Sequence, residues 1–232
     1  MPVIRISDAT WGRLKEWAEP FVDSPDDVIR KLLDMISLTP KDNPINRSPI
    51  LIIDAGFINI FCGEYDKHSK GTLDQSEEEA ILEWLSKQDE PRYLNKEYFR
   101  KLGDWKTPRY SATRARNDEI FVIETTRSAY QATDDLMKIH LLKKLRGVGT
   151  AVASTILYYL QPNRFPIFDY HARRTLIKAG KLNEFEDNDT EKVWLRYTQE
   201  LRQLSKLHNK SIREIEKAIF AYDKWGQEWR NE

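Results

Sequence analysis

The residues best equipped for chemistry share one stretch. Residues 141–174 read LLKKLRGVGTAVASTILYYLQPNRFPIFDYHARR. The spacing predicts a helix ending in Leu145-Arg146-Gly147-Val148-Gly149 and a second helix starting at once, with Asp169 placed 20 residues after Gly149. Between Leu136 and Asn183, Asp169 is the only carboxylate, set among nine Lys and Arg. A single acid in a basic field suits work on a polyanion. The bases would hold phosphates, and the carboxylate is the candidate for chemistry on the bound polyanion.

The turn has a physical use. Gly147 and Gly149 permit backbone conformations that a side chain would block, and they let another backbone come close. The second helix begins there, so free N–H groups near Gly149, Thr150 and Ala151 and the positive end of the helix dipole face outward. Such an end suits one phosphate, with Lys143, Lys144 and Arg146 adding charge. A plainer reading stands beside this one, because many helix pairs turn on Gly-x-Gly. Asp169 would also serve as the N-cap of a helix over 170–179, a role compatible with catalysis. His171 and Arg174 read either as strand contacts or as ordinary helix-surface residues.

Segment 103–116, GDWKTPRYSATRAR, interleaves Trp105 and Tyr110 with bases that include Arg109. It can grip phosphates and stack on a base, or be a solvated loop with one core tryptophan. Trp105, Tyr110 and Tyr170 are the candidates for lining a base pocket.

The elements that must position these residues are helical. Ser76 with Glu79 and Ser211 with Glu214 form capping-box patterns. Apolar spacing predicts helices over about 95–105, 118–131, 134–145, 150–160, 170–179, 189–206 and 212–228. Residues 50–62, ILIIDAGFINIFC, fit a hairpin turning near Asp54-Ala55-Gly56 or a buried helix; periodicity leaves both open. Prolines 40, 44 and 49 mark 38–49 as a linker. The expected fold class is mainly α.

With 232 residues, 40% hydrophobic and 11% aromatic, the chain has material for one main domain and a small appendage. Net charge is zero but unevenly spread. Window 92–116 has eight bases against Glu97 and Asp104, while 74–90 has seven acids and one lysine. This fits a basic binding face with acidic flanks, or ordinary solvated helix faces. Cys62 is the single cysteine, which excludes an intrachain disulfide and an all-cysteine metal site. Four histidines show no metal spacing. No apolar run approaches a membrane span and no signal-peptide pattern opens the chain, so a cytoplasmic protein is expected, nucleoid-associated if it binds DNA.

Leu145-Arg146-Gly147-Val148-Gly149, Ala153, Pro166-Ile167-Phe168-Asp169-Tyr170-His171 and Arg174 resemble the helix-hairpin-helix DNA glycosylases. That family shows a Leu-Pro-Gly-Val-Gly hairpin and a later Val-Asp-Thr-His segment at a matching separation. The likeness is sharp over about 142–176 and extends as helical context over roughly 50–232. It implies a two-lobed helical domain over 50–232 with a DNA cleft between the lobes. The hairpin, residues 143–151, would hold the strand's phosphate, and Asp169 would be the catalytic carboxylate. Ala151 stands where bifunctional members place a Schiff-base lysine, so the likeness implies base release without lyase activity: Asp169 stabilises an oxocarbenium-like sugar and helps a water attack an extruded nucleotide. It implies no cofactor beyond a monovalent cation at the hairpin, and no iron–sulfur cluster. Two positions depart from the pattern: Tyr170 replaces the usual Ser or Thr, and Arg146 replaces the hairpin proline.

Residues 2–36 read as a strand at Val3–Ile6 and two helices, the second opening at Ser24-Pro25-Asp26-Asp27. They resemble the ribbon-helix-helix fold, in particular the oligomerisation segment of replication-initiation sequestration regulators. One strand cannot form a sheet and so short a segment cannot bury a core, so the likeness implies a homodimer through 1–37. Three functions follow as expectations: a monofunctional DNA glycosylase on double-stranded DNA, a non-catalytic dimeric DNA-binding protein using the hairpin, or a helical protein without a nucleic-acid role.

Overall fold

The computed structural model describes residues 51–68, 75–183 and 190–226, all within one compact unit spanning 50–232. The expected N-terminal strand, helices and linker lie outside the described residues, as do the side chain of Ser76 and its expected cap. The described residues are helical and hold no strand. In order they form α1 (Ala55–His68), α2 (Gln75–Ser86), α3 (Lys96–Lys106), a 3-10 turn (Pro108–Tyr110), α4 (Ser111–Arg114) and α5 (Glu119–Gln131). There follow α6 (Asp135–Leu142), α7 (Thr150–Leu160), α8 (Tyr170–Lys178), α9 (Thr190–His208) and α10 (Ile212–Lys224).

Local chemistry explains most helix starts. Asn95, Asp118 and Asp134 each accept a backbone N–H of the following first turn, at 2.8, 2.8 and 2.7 Å. Ser211 and Glu214 form the full reciprocal capping box expected from their spacing. The hairpin reading of 50–62 is corrected. Asp54 Oδ1 accepts the Phe57 N–H at 2.7 Å and opens α1 instead of turning a strand. With no strand among the described residues to pair the run, a helix satisfies its own backbone. The expected 134–145 helix stops at Leu142, and residues 143–149 form the turn.

Two hydrophobic clusters form. One gathers buried residues of α2, α3, α5, α6 and α7 with Trp194 of α9. The other gathers α1, α8 and α10 with Tyr197, Leu201 and Leu204 of α9. Phe168 packs against both. Asp169 therefore leaves the chain where the two clusters meet.

Candidate functional site

The turn between α6 and α7 is built from outside itself. Arg114 is fully buried. Its Nε and Nη2 donate to Asp104 Oδ1 at 3.0 and 2.6 Å, and Nη2 also reaches the Thr107 carbonyl at 2.5 Å. Its Nη1 donates to the Gly147 carbonyl at 3.1 Å. Asn117 grips the preceding residue on both sides: the Arg146 N–H donates to its Oδ1 at 2.8 Å, and its Nδ2 donates to the Arg146 carbonyl at 3.0 Å. A buried arginine and asparagine thus set the backbone of the loop at Arg146 and Gly147.

The two glycines differ. Gly147 has φ of +76°, and a Cβ there would stand 2.9 Å from Arg114 Cγ. Both conformation and packing require glycine. Gly149 is extended, at φ −98°, and a Cβ there would meet nothing within 4 Å. The chain's own packing does not demand its missing side chain. Gly149 is also the N-cap of α7 and provides no side-chain acceptor for that helix's first N–H groups.

Asp169 is the N-cap of α8. Its Oδ1 accepts the His171 N–H at 2.9 Å, and its Oδ2 pairs with Lys106 Nζ at 2.8 Å. The side chain keeps 22% of its surface, against 12% for Lys106. Burial alone would raise the Asp169 pKa; Lys106 and the His171 N–H outweigh it and hold the carboxyl below its usual range. An ionised, partly accessible carboxylate results.

The extended residues before Asp169 are pinned by three other helices. The Phe168 N–H donates to Ser154 Oγ at 2.9 Å, and Ser154 donates to the Ala151 carbonyl at 2.8 Å. The Ile167 N–H donates to Glu216 Oε2 at 2.9 Å, and Tyr197 Oη donates to the Ile167 carbonyl at 3.1 Å. Glu216 is buried, which pushes its pKa up, and its other oxygen takes Arg213 Nη1 at 2.5 Å. Through Ser154, the residue beside Asp169 is bonded to the first turn of α7.

The basic field is smaller in space than along the chain. Lys138 is buried and donates to the Ala129 and Tyr130 carbonyls; burial pulls its pKa down to about 8. Arg164 pairs with Asp135 at 2.7 Å, and Lys143 pairs with Glu191. Arg114 and Lys106 are likewise internal partners. Nor does the basic field hold a lone acid: folding pairs its bases with Asp104, Asp135, Glu191 and Asp223, and sets Glu216 against the Ile167 N–H. The exposed bases around the turn are Lys144, Arg146, Arg109 and Arg116, none ion-paired among the described residues.

The other expected site residues fall in several settings. Val148 is core, and Thr150 is buried with its Oγ1 3.0 Å from Thr190 Oγ1. Ala151 is half-buried. His171 Nδ1 lies 3.0 Å from Asp223 Oδ2, with Arg174 at 3.6 Å and Lys178 at 2.6 Å from the same carboxylate. Tyr170 is 65% exposed with the Arg174 guanidinium over its ring. Tyr110 is exposed beneath Arg109, while Trp105 packs half-buried on the first cluster. Lys106, Arg114, Asn117, Ser154 and Glu216 were not singled out by sequence. Lys106 and Arg114 stood only within the basic run, and the bonds that matter here join residues far apart in the chain: Lys106 to Asp169, Arg114 to Gly147, Asn117 to Arg146, Ser154 to Phe168 and Glu216 to Ile167.

The described residues thus form a mainly α protein. None of their helices is long and apolar enough to cross a membrane, and they contain no group of three or more His, Cys, Asp or Glu that could hold a metal ion. Comparison with protein-family models, curated proteins and solved structures finds no match.

Proposed function

We propose that this chain binds double-stranded DNA and releases an extruded modified or mismatched base by hydrolysing its N-glycosidic bond, in the manner of the helix-hairpin-helix glycosylases it resembles. The observation that carries the reading is Asp169: ionised, partly accessible, and bonded through Phe168 and Ser154 to the first turn of the glycine-turn helix. A fixed negative charge there would favour the cationic sugar that develops as the base departs. Arg109, Lys144, Arg146 and the uncapped start of α7 supply contacts for phosphates. Ala151 brings no amine at the hairpin, so base release proceeds without an imine at that position. Residues 2–36 are assigned to dimerisation, with the nucleoid as the site of action.

The test is incubation of the full chain with duplexes carrying damaged, mismatched or modified bases, followed by hot alkali. Alkali-labile sites are expected. Their absence across a broad panel, with steep salt-dependent duplex binding intact, would leave a DNA-binding protein without excision. That second reading is favoured by one observation: both Asp169 oxygens already have partners. Binding insensitive to salt would remove both readings.

A further inference from the structure

The residue after Asp169 starts a row of aromatic rings that base release does not use. Tyr170 meets His171 at 5.5 Å between ring centroids, His171 meets Phe220 at 5.4 Å, and Phe220 meets Trp225 at 5.5 Å, each edge to face. The first two rings come from α8, the third from α10, and the fourth is the residue that caps the end of α10. Cations lie over the ring faces. The Arg174 guanidinium is 5.5 Å from the Tyr170 centroid, and the Lys224 ammonium is 5.2 Å from Phe220 and 5.4 Å from Trp225.

The row is not sealed core. Tyr170 is 65% exposed, Lys224 is exposed, and His171, Phe220 and Trp225 each keep part of their surface. Nor is it loose. Asp223 holds both groups that touch the Tyr170 ring, His171 at 3.0 Å and Arg174 at 3.6 Å. Charge at the surface of the row has one sign: Arg174, Lys178 and Lys224 are accessible, while the Asp223 carboxylate among them is fully buried. Lys224 has no ion pair among the described residues and rests on the two rings. Rings interleaved with cations match a strand that offers bases and phosphates in turn. A duplex hides its base faces in the stack and presents only phosphates here; a single strand presents both.

We propose that Tyr170, Phe220 and Trp225, with Arg174 and Lys224, form a binding surface for single-stranded nucleic acid. Bases stack on the rings, and the two cations move from the ring faces to phosphates. The surface goes beyond base release and does not depend on it, since none of these residues acts on a bond. Every base has a flat face, so the surface does not select sequence.

Fluorescence anisotropy of the full chain with labelled oligo-dT, oligo-rU and an abasic strand of equal length and charge tests it. A purely electrostatic surface holds all three alike. Stacking predicts that oligo-dT or oligo-rU binds at least about tenfold tighter than the abasic strand, and the tighter of the two names the strand as DNA or RNA. On that strand, Tyr170→Ala should bind roughly tenfold more weakly and Tyr170→Phe as the native chain does. Tyr170 is mostly exposed, so the urea midpoint of Tyr170→Ala should stay at the native value. Lys224→Glu should also weaken binding, most at low salt. Equal affinity for the abasic strand, no binding of any strand, or native affinity in Tyr170→Ala overturns the proposal. The alkali assay separates the two readings. Base release without base-dependent single-strand binding removes this surface and keeps Asp169; base-dependent binding without base release keeps the surface and removes base excision.

Discussion

Asp169 and Asp223 are both partnered carboxylates whose neighbours hold them below the ordinary carboxyl range, and both serve α8. They differ in what surrounds them. Asp223 has no exposed side-chain surface and meets three bases, His171, Arg174 and Lys178, all from α8. It ties α8 to α10, and its charge is consumed in doing so. Asp169 keeps 22% of its surface and meets one ammonium group and one backbone N–H. The comparison separates a carboxylate spent on architecture from one left with a single displaceable partner. Three of the four bases in these two clusters lie on α8 within ten residues of Asp169, so proximity in sequence did not distinguish the two roles.

The sharpest way to break the comparison is Asp169→Asn. Base release should fall on the order of 10³-fold, the scale of a lost positioned catalytic group. Asparagine caps a helix about as well as aspartate, so stability should change by no more than about 1 kcal/mol. Duplex binding should survive or tighten as repulsion is lost. Asp223→Asn should do the opposite. Removing the charge from a buried hub with three bases should cost about 3 kcal/mol in urea unfolding, while the folded variant still releases base. Equal losses of activity in the two variants would end the distinction.

The glycines extend the contrast to the turn. Gly147→Ala forces a methyl group against Arg114 at positive φ and should cost about 2 kcal/mol. Gly149→Ala should leave stability within about 0.5 kcal/mol, yet weaken duplex binding, because the methyl group occupies the open side of the turn. The smallest effect is on acid stability. Asp104, Asp169 and Asp223 all have depressed native pKa values, so their contribution is fully present above the unfolded value of about 3.9 and is lost as pH falls through the native values. Urea midpoints should therefore drop below about pH 4, with a shallower drop in Asp223→Asn.

Much of the helical framework was legible without coordinates. Ser211 with Glu214 announced α10, and the spacing of 150–160 announced α7, because caps and apolar periodicity act within one or two turns. The run 50–62 stayed ambiguous because a short apolar segment suits either structure until its neighbours are known. The N-cap role of Asp169 was readable from its place before Tyr170. Its bond to Lys106 was not, since those residues lie 63 apart in the chain.

The sequence by itself determined where most of the longer helices after residue 95 start, where the Gly147–Gly149 turn falls, and that Asp169 heads α8. Those features depend on contacts between residues a few positions apart. Tertiary structure alone decided which charges remained on the surface. It buried Lys138 and Arg114, paired Arg164 and Lys143, surrounded Asp223 with α8, and brought Lys106 to Asp169. Such pairings arise when separate helices pack, and desolvation then forces each buried charge to find a partner that no local spacing records.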